Sequence, residues 1–187
     1  MFYTNQFIET LKGWPEGQKL LIEDGKSITS GDLYKKSLHL AKELNRQGMK
    51  KGDRVVLVLK PGSEFLILIY ANMILRTIVS IIDPEMGMEN YKAKFKQFDP
   101  QFAFVDSRLI FLNEHPILKY FLQKIRPNTP SFPKDSKCQL FTIGKKLPIL
   151  KKRQHLVLST KEENTEIDWI EGNEEDGLLV TYTSGTL

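Results

Sequence analysis

The sequence predicts an α/β fold: a layered domain with a largely parallel sheet and flanking helices. Three observations carry this. The run Val55–Leu59 is apolar without alternation, as in a strand covered on both faces. Strand and helix signals follow one another with short connections, the arrangement that consecutive βα units require. A chain of 187 residues is also long enough to bury a sizeable core as one ordinary domain.

Taken in order, "KLLIEDG" and "KSIT" read as two short strands joined at Asp24-Gly25, a strong hairpin dipeptide. Ser30 offers an N-cap for the helix "GDLYKKSLHLAKELNRQG". Leu33, Leu40, Ala41 and Leu44 fall on one face of it, and Gly48 stands as its C-terminal cap. His39 lies in this helix with no second His or carboxylate at ligand spacing, so it reads as a surface or boundary residue. After the strand at Val55–Leu59, Pro61-Gly62 breaks the chain, and Ser63–Leu75 reads as an almost wholly apolar, buried helix. Ile78–Ile82 is another buried strand, stopped by Asp83-Pro84. Met88, Tyr91, Phe95 and Phe98 recur at helical spacing up to Asp99-Pro100, and "FAFVD" makes a further strand. Asp83 and Asp106 end strands where ligands gather in such sheets. Turn and cap residues also occupy such places, and neither is assigned a catalytic role.

Beyond Asp106 the pattern is less regular. "HPILKYFLQKI" reads as a helix with Pro116 in its first turn, and the Pro-rich stretch from Asn128 to Asp135 reads as a loop. "CQLFTIG" suits a strand; "LPILKKRQHLVLS" is ambiguous. The boundaries that follow are an α/β body over 1–160, an acidic connector over 161–177 and a final strand entering a loop over 178–187. Trp169 and Ile170 are the residues that would pin the connector to the body.

Composition limits the function classes. Hydrophobic residues make up 41% and charged residues 27%, a soluble globular balance. The net charge of +4 does not point to nucleic acid, and no aromatic spacing of a nucleic-acid motif is present. The start "MFYTNQFIETL" lacks the basic and apolar regions of a signal peptide. The most membrane-like stretch, Phe65–Ile82, is interrupted by Asn72 and Arg76 and is read as core. The single cysteine, Cys138, allows no intrachain disulfide and no Cys cluster for zinc, and a reducing cytoplasm is the expected location. Cys138 reads as a small apolar filler. Ten Lys and Arg against one acid lie between Lys119 and Arg153, a solvated basic region or a face for an anionic surface.

The end of the chain, "LLVTYTSGTL", carries the chemistry. A strand leads into Thr183, Ser184, Gly185 and Thr186. Glycine lets a backbone approach phosphate closely, and hydroxyl and main-chain N–H groups can donate to its oxygens. By itself such a tetrapeptide is more often an ordinary turn, and it does not match the G-x-x-x-x-G-K-[ST] loop.

"YTSGT" resembles the opening of the ATP-gripping loop of the adenylate-forming superfamily: acyl-CoA synthetases, luciferases and peptide-synthetase adenylation domains. There the loop continues Thr-Gly-x-Pro-Lys-Gly, and an acidic residue, here Asp176, often introduces its strand. Upstream, Gly48, Gly52, Asp53 and Val55, then Ser63, Glu64 and Phe65, then Asp83 and Pro84, are similar in order and spacing to the family's N-terminal signature. "IDPEMGMENYKAKFKQFDPQFAFVD" is more similar to fatty-acid-activating members, including the olefin β-lactone synthetase branch, than to peptide-synthetase domains. Leu187 stands where a second threonine is expected, as a native residue or as part of a Leu-Glu tag junction.

The resemblance implies the N-terminal subdomain of an acyl-CoA synthetase, cut inside the nucleotide loop and inactive alone. The parent would use ATP and Mg2+ to activate a fatty carboxylate as acyl-adenylate, then pass it to coenzyme A. Thr183, Ser184, Gly185 and Thr186 would clamp the β- and γ-phosphates; no catalytic or metal-binding residue is implied within this chain. Two rival readings stay open: a small flavodoxin-type binding module, and a non-catalytic interaction domain using the Lys119–Arg153 region on an anionic surface.

Overall fold

A computed structural model describes residues 3–23, 25–82, 87–115, 120, 137–147, 154–158, 173 and 176–182. Among them the chain forms two compact units.

The first unit holds helix α1 (Tyr3–Gly13), strands β1 (Lys19–Glu23) and β2 (Lys26–Thr29), and helices α2 (Ser30–Arg46) and α3 (Ser63–Leu75). α1 was not foreseen from the sequence; its Ile8 and Leu11 are buried. β1 and β2 pair antiparallel, Leu21 opposite Ile28 and Glu23 opposite Lys26. Gly25 has a φ of +74°, which the turn requires and glycine tolerates. The hairpin is a separate two-stranded sheet and not part of the parallel one.

Thr29, not Ser30, is the N-cap of α2. Its hydroxyl accepts from the Asp32 N–H (3.1 Å), and the Asp32 carboxylate accepts from the Thr29 N–H (3.4 Å), a reciprocal capping box. The sequence offered two adjacent hydroxyls, and only Thr29 has an acid three residues on. Ser30 instead donates to the Pro15 carbonyl at 2.6 Å. At the far end Gly48, with φ +97°, closes a Schellman motif: its N–H reaches Asn45 O, and Met49 N–H reaches Leu44 O. Leu33, Leu40, Ala41 and Leu44 are buried as their spacing predicts, and α2 packs along α3.

α3 has the predicted bounds. Its buried Asn72 donates to Leu68 O at 2.8 Å and accepts from the Thr77 hydroxyl at 2.6 Å. A polar residue in an apolar helix is tolerated because these bonds satisfy it. Arg76 ends the helix in the left-handed region, with φ +58°.

The second unit is built on a parallel six-stranded sheet of order β7-β6-β5-β3-β4-β8. The strands are β3 (Arg54–Val58), β4 (Ile78–Ile81), β5 (Phe102–Asp106), β6 (Gln139–Ile143), β7 (Gln154–His155) and β8 (Leu179–Val180). Val55–Val58 are fully buried, the state their unalternated apolar run requires. Phe104 and Phe141, from neighbouring β5 and β6, stack with ring centroids 5.2 Å apart. Helix α4 (Met88–Phe98) buries Tyr91, Phe95 and Phe98 as its periodicity predicts, and Asp99 ends it in the left-handed region.

Helix α5 (Ser107–Glu114) begins where the sequence reading saw loss of regularity. Asp106 caps it, accepting from the Arg108 N–H at 2.8 Å. The helix expected at "HPILKYFLQKI", the Pro-rich loop and the acidic connector fall almost wholly outside the described residues.

Candidate functional site

In a parallel sheet all strands point the same way, so their carboxyl ends line one side, where ligands bind. β8 reaches that side at the sheet edge, with Val79 opposite Leu179 and Ser80 opposite Val180 on β4. Thr181 and Tyr182 lead on from it. Thr183, Ser184, Gly185 and Thr186 follow directly and lie outside the described residues, as do Asp83 and Pro84. The strand expected before the candidate loop is therefore present, at one edge of the sheet among the described residues.

Tyr182 is fixed to α4 in two ways. Its hydroxyl donates to the Lys94 carbonyl at 3.3 Å, and the Lys94 ammonium stands 5.1 Å from its ring centroid, within cation–π reach. Burial pushes the phenol up from its ordinary value, so it stays a neutral donor at physiological pH. The motif reading assigns a role only to the hydroxyl and glycine residues after this tyrosine. The signal was its place as the last aromatic before them.

Asp176, the acid expected before the strand, belongs to the first unit together with Lys51. Its carboxylate meets the Lys51 ammonium at 2.9 Å and accepts from the Asn173 N–H at 2.8 Å. Lys51, then the Asn173 N–H, hold this carboxyl below its ordinary range, and Arg76 acts in the same direction. The next residue, Gly177, lies against Ile78: a Cβ there would come within 3.2 Å of the isoleucine side chain.

A separate apolar cavity of about 370 Å³ in the first unit is lined by Leu21, Ile22, Glu23, Pro61, Gly62, Phe65 and Leu66. It contains none of the residues singled out from the sequence as a site. Asp106 serves as a helix cap and an ion-pair partner of Arg108 at 2.6 Å. His39 is half-buried on α2. Burial pushes the Cys138 thiol up to about 12, so at neutral pH it is no nucleophile. Among the described residues no three His, Cys, Asp or Glu side chains converge as metal ligands, and no helix is long and apolar enough to cross a membrane.

A family model described as AMP-binding enzyme matches residues 7–186. The chain belongs to that family. Its fold is similar to that of an anthranilate CoA ligase determined with anthranoyl-AMP, at TM-score 0.73 and 15% identity, over 98% of this chain and 33% of that one. It is also similar to a long-chain-fatty-acid-CoA ligase from Archaeoglobus fulgidus, at TM-score 0.69 and 18% identity, over 98% and 34% of the two chains. A third likeness is to a luciferase-like enzyme from the mealworm Zophobas morio, at TM-score 0.70 and 15% identity, over 96% and 39%. The chain thus spans between a third and two-fifths of the length of these structures. No curated protein matches.

Proposed function

We propose that this chain is the phosphate-gripping N-terminal part of an ATP-dependent, AMP-forming ligase that activates a fatty carboxylate and passes it to coenzyme A. The family match through residue 186 supports this most directly. It brings the 183–186 segment into the family alignment, and the parallel β4–β8 pairing delivers the chain to the ligand side of the sheet. The choice of a fatty substrate rests on the stretch from Asp83 to Gly87 and on the fatty-acid ligase among the structural neighbours. A flavodoxin-type module gains no support from that match. The single cysteine suits a reducing compartment, and we place the protein in the cytoplasm.

In this reading a carboxylate oxygen attacks the α-phosphorus of ATP, pyrophosphate leaves, and the acyl-adenylate is then attacked by a thiol that displaces AMP. Thr183, Ser184, Gly185 and Thr186 would donate to the β- and γ-oxygens and so favour departure of pyrophosphate, catalysis by charge stabilisation rather than by a side-chain nucleophile. The described residues hold no carboxylate cluster for Mg2+, an ion that commonly arrives with substrate phosphates.

The test is ATP–pyrophosphate exchange with a series of carboxylates in the enzyme carrying this chain. Gly185→Val should cut exchange by about 100-fold or more, the scale of losing preorganised phosphate or oxyanion donors, with little change in Tm. A β-branched side chain blocks close backbone approach and restricts the local dihedrals. Exchange at the unmodified rate in a folded variant overturns the reading. The 187-residue chain alone is expected to release no pyrophosphate from ATP and a fatty acid above a no-protein control.

A further inference from the structure

The cavity of the first unit plays no part in the phosphate chemistry, and its lining has a composition of its own. Its volume of about 370 Å³ falls in the range that small molecules occupy. Leu21, Ile22 and Glu23 are consecutive in β1, and successive side chains of a strand point to opposite faces. A space lined by all three therefore runs along the strand's edge and not over one face. The edge of β1 turned away from β2 has no partner strand among the described residues. Pro61, Gly62, Phe65 and Leu66, from the start of α3 and the turn before it, form the rest of the lining. The walls are thus apolar side chains and a glycine, with Glu23 as the one charged group.

That carboxylate is held in place. Its Oε2 takes both bonds from Ser63, the hydroxyl at 2.6 Å and the N–H at 3.0 Å. Its Oε1 is the atom nearest to where a side chain on Gly62 would begin, which puts it against the lining. The Ser63 hydroxyl, then the Ser63 N–H, hold this carboxyl below its ordinary value, so it is charged at neutral pH. Glu64 adds a second acid in the first turn of α3.

We infer that this cavity binds a small free amine: a primary ammonium on a compact aromatic or branched aliphatic body. The ammonium pairs with Glu23 Oε1 while the body covers Leu21, Ile22, Phe65 and Leu66. Apolar area supplies most of the binding, and one fixed charge at its margin sets orientation and sign. An anion is repelled by Glu23 and Glu64, so the cavity is no place for the fatty carboxylate of the proposed reaction. The inference does not depend on how ATP is held.

The experiment titrates the 187-residue chain at pH 7 and constant ionic strength with benzylammonium, the neutral benzyl alcohol and the anionic benzoate. NMR shifts of the amides of residues 20–23 and 62–66 are followed. Benzylammonium should move them with a Kd of about 1 mM, the order that roughly ten non-hydrogen atoms give. Benzyl alcohol should bind about two- to five-fold more weakly, the factor of one exposed ion pair, and benzoate should move none of them. Glu23→Gln, whose amide oxygen can still accept from Ser63, should bring benzylammonium down to the level of the alcohol and leave the alcohol unchanged. Ile22→Ser should weaken both alike; Ile22 is 69% exposed, so the fold is not at stake.

Equal affinity for the cation and the alcohol in the unmodified chain overturns the inference, leaving an unselective apolar surface. Discrimination that survives in folded Glu23→Gln, or shifts confined to other residues, also overturns it. Should Glu23→Gln lose its fold, titration of the unmodified chain at high salt decides. Screening should then weaken benzylammonium and spare benzyl alcohol, and an unaltered cation affinity rejects the site.

Discussion

Glu23 sits at the end of β1, yet its carboxylate serves a helix 40 residues further on. It accepts from the Ser63 hydroxyl at 2.6 Å and from the Ser63 N–H at 3.0 Å, at the N-terminus of α3 where backbone donors are otherwise free and negative charge is favoured. Gly62 offers no side chain to do this, and a Cβ there would collide with the Glu23 carboxylate. The Ser63 donors hold this carboxyl below its ordinary value near 4.5. A depressed folded pKa contributes stability above the unfolded value, and that contribution is lost as pH falls through the folded one. Glu23→Gln should therefore lower stability at neutral pH by less than about 1 kcal/mol, discounted for exposure. Urea unfolding should show the gap to the unmodified protein closing at acid pH. Gly62→Ala should produce a similar loss by displacing the carboxylate.

At the scale of elements, the helix ends decide more than the helix middles. Thr29→Ala should cost about 1 kcal/mol through the capping box of α2, an effect to be measured by denaturant unfolding against Ser30→Ala. Gly48→Ala places a Cβ at φ +97° and should cost roughly 1 kcal/mol or more. The middles were legible: the buried faces of α2 and α4, the apolar body of α3 and the strands β3, β5 and β6 follow from period and composition. The ends were less so, because adjacent Thr29 and Ser30 differ only in that Asp32 lies three residues after the first and Leu33 three after the second. α5 escaped because its cap, Asp106, is also the last residue of β5, and one residue serving two elements leaves no turn to mark the boundary. β7, two residues long, is too short for any periodicity, whereas β8, equally short, was expected as the strand leading into the loop.

For the whole molecule, the α/β class and the parallel sheet could be read from alternation and unbroken apolar runs. The hairpin was read too, but not its separation from the parallel sheet, since local pattern does not say which strands join which sheet; α1 was not foreseen. The candidate loop at 183–186 is picked out by its motif alone, while the contact that Tyr182 makes just before it is not. Lys94 and Tyr182 lie 88 residues apart, and no local pattern announces that they meet.

The strand register adds a matter of timing. β4 receives its outer partner only when Leu179 arrives opposite Val79, roughly 100 residues later in synthesis, or about 5–20 s at ordinary ribosomal rates of 5–20 residues per second. Throughout that interval the outer edge of β4 presents free backbone donors and acceptors on a nascent chain, the kind of template other strands add to. Residues made much later therefore shield a strand made long before, and slowing translation after Ile81 should increase aggregation of the newly made chain in a chaperone-free system.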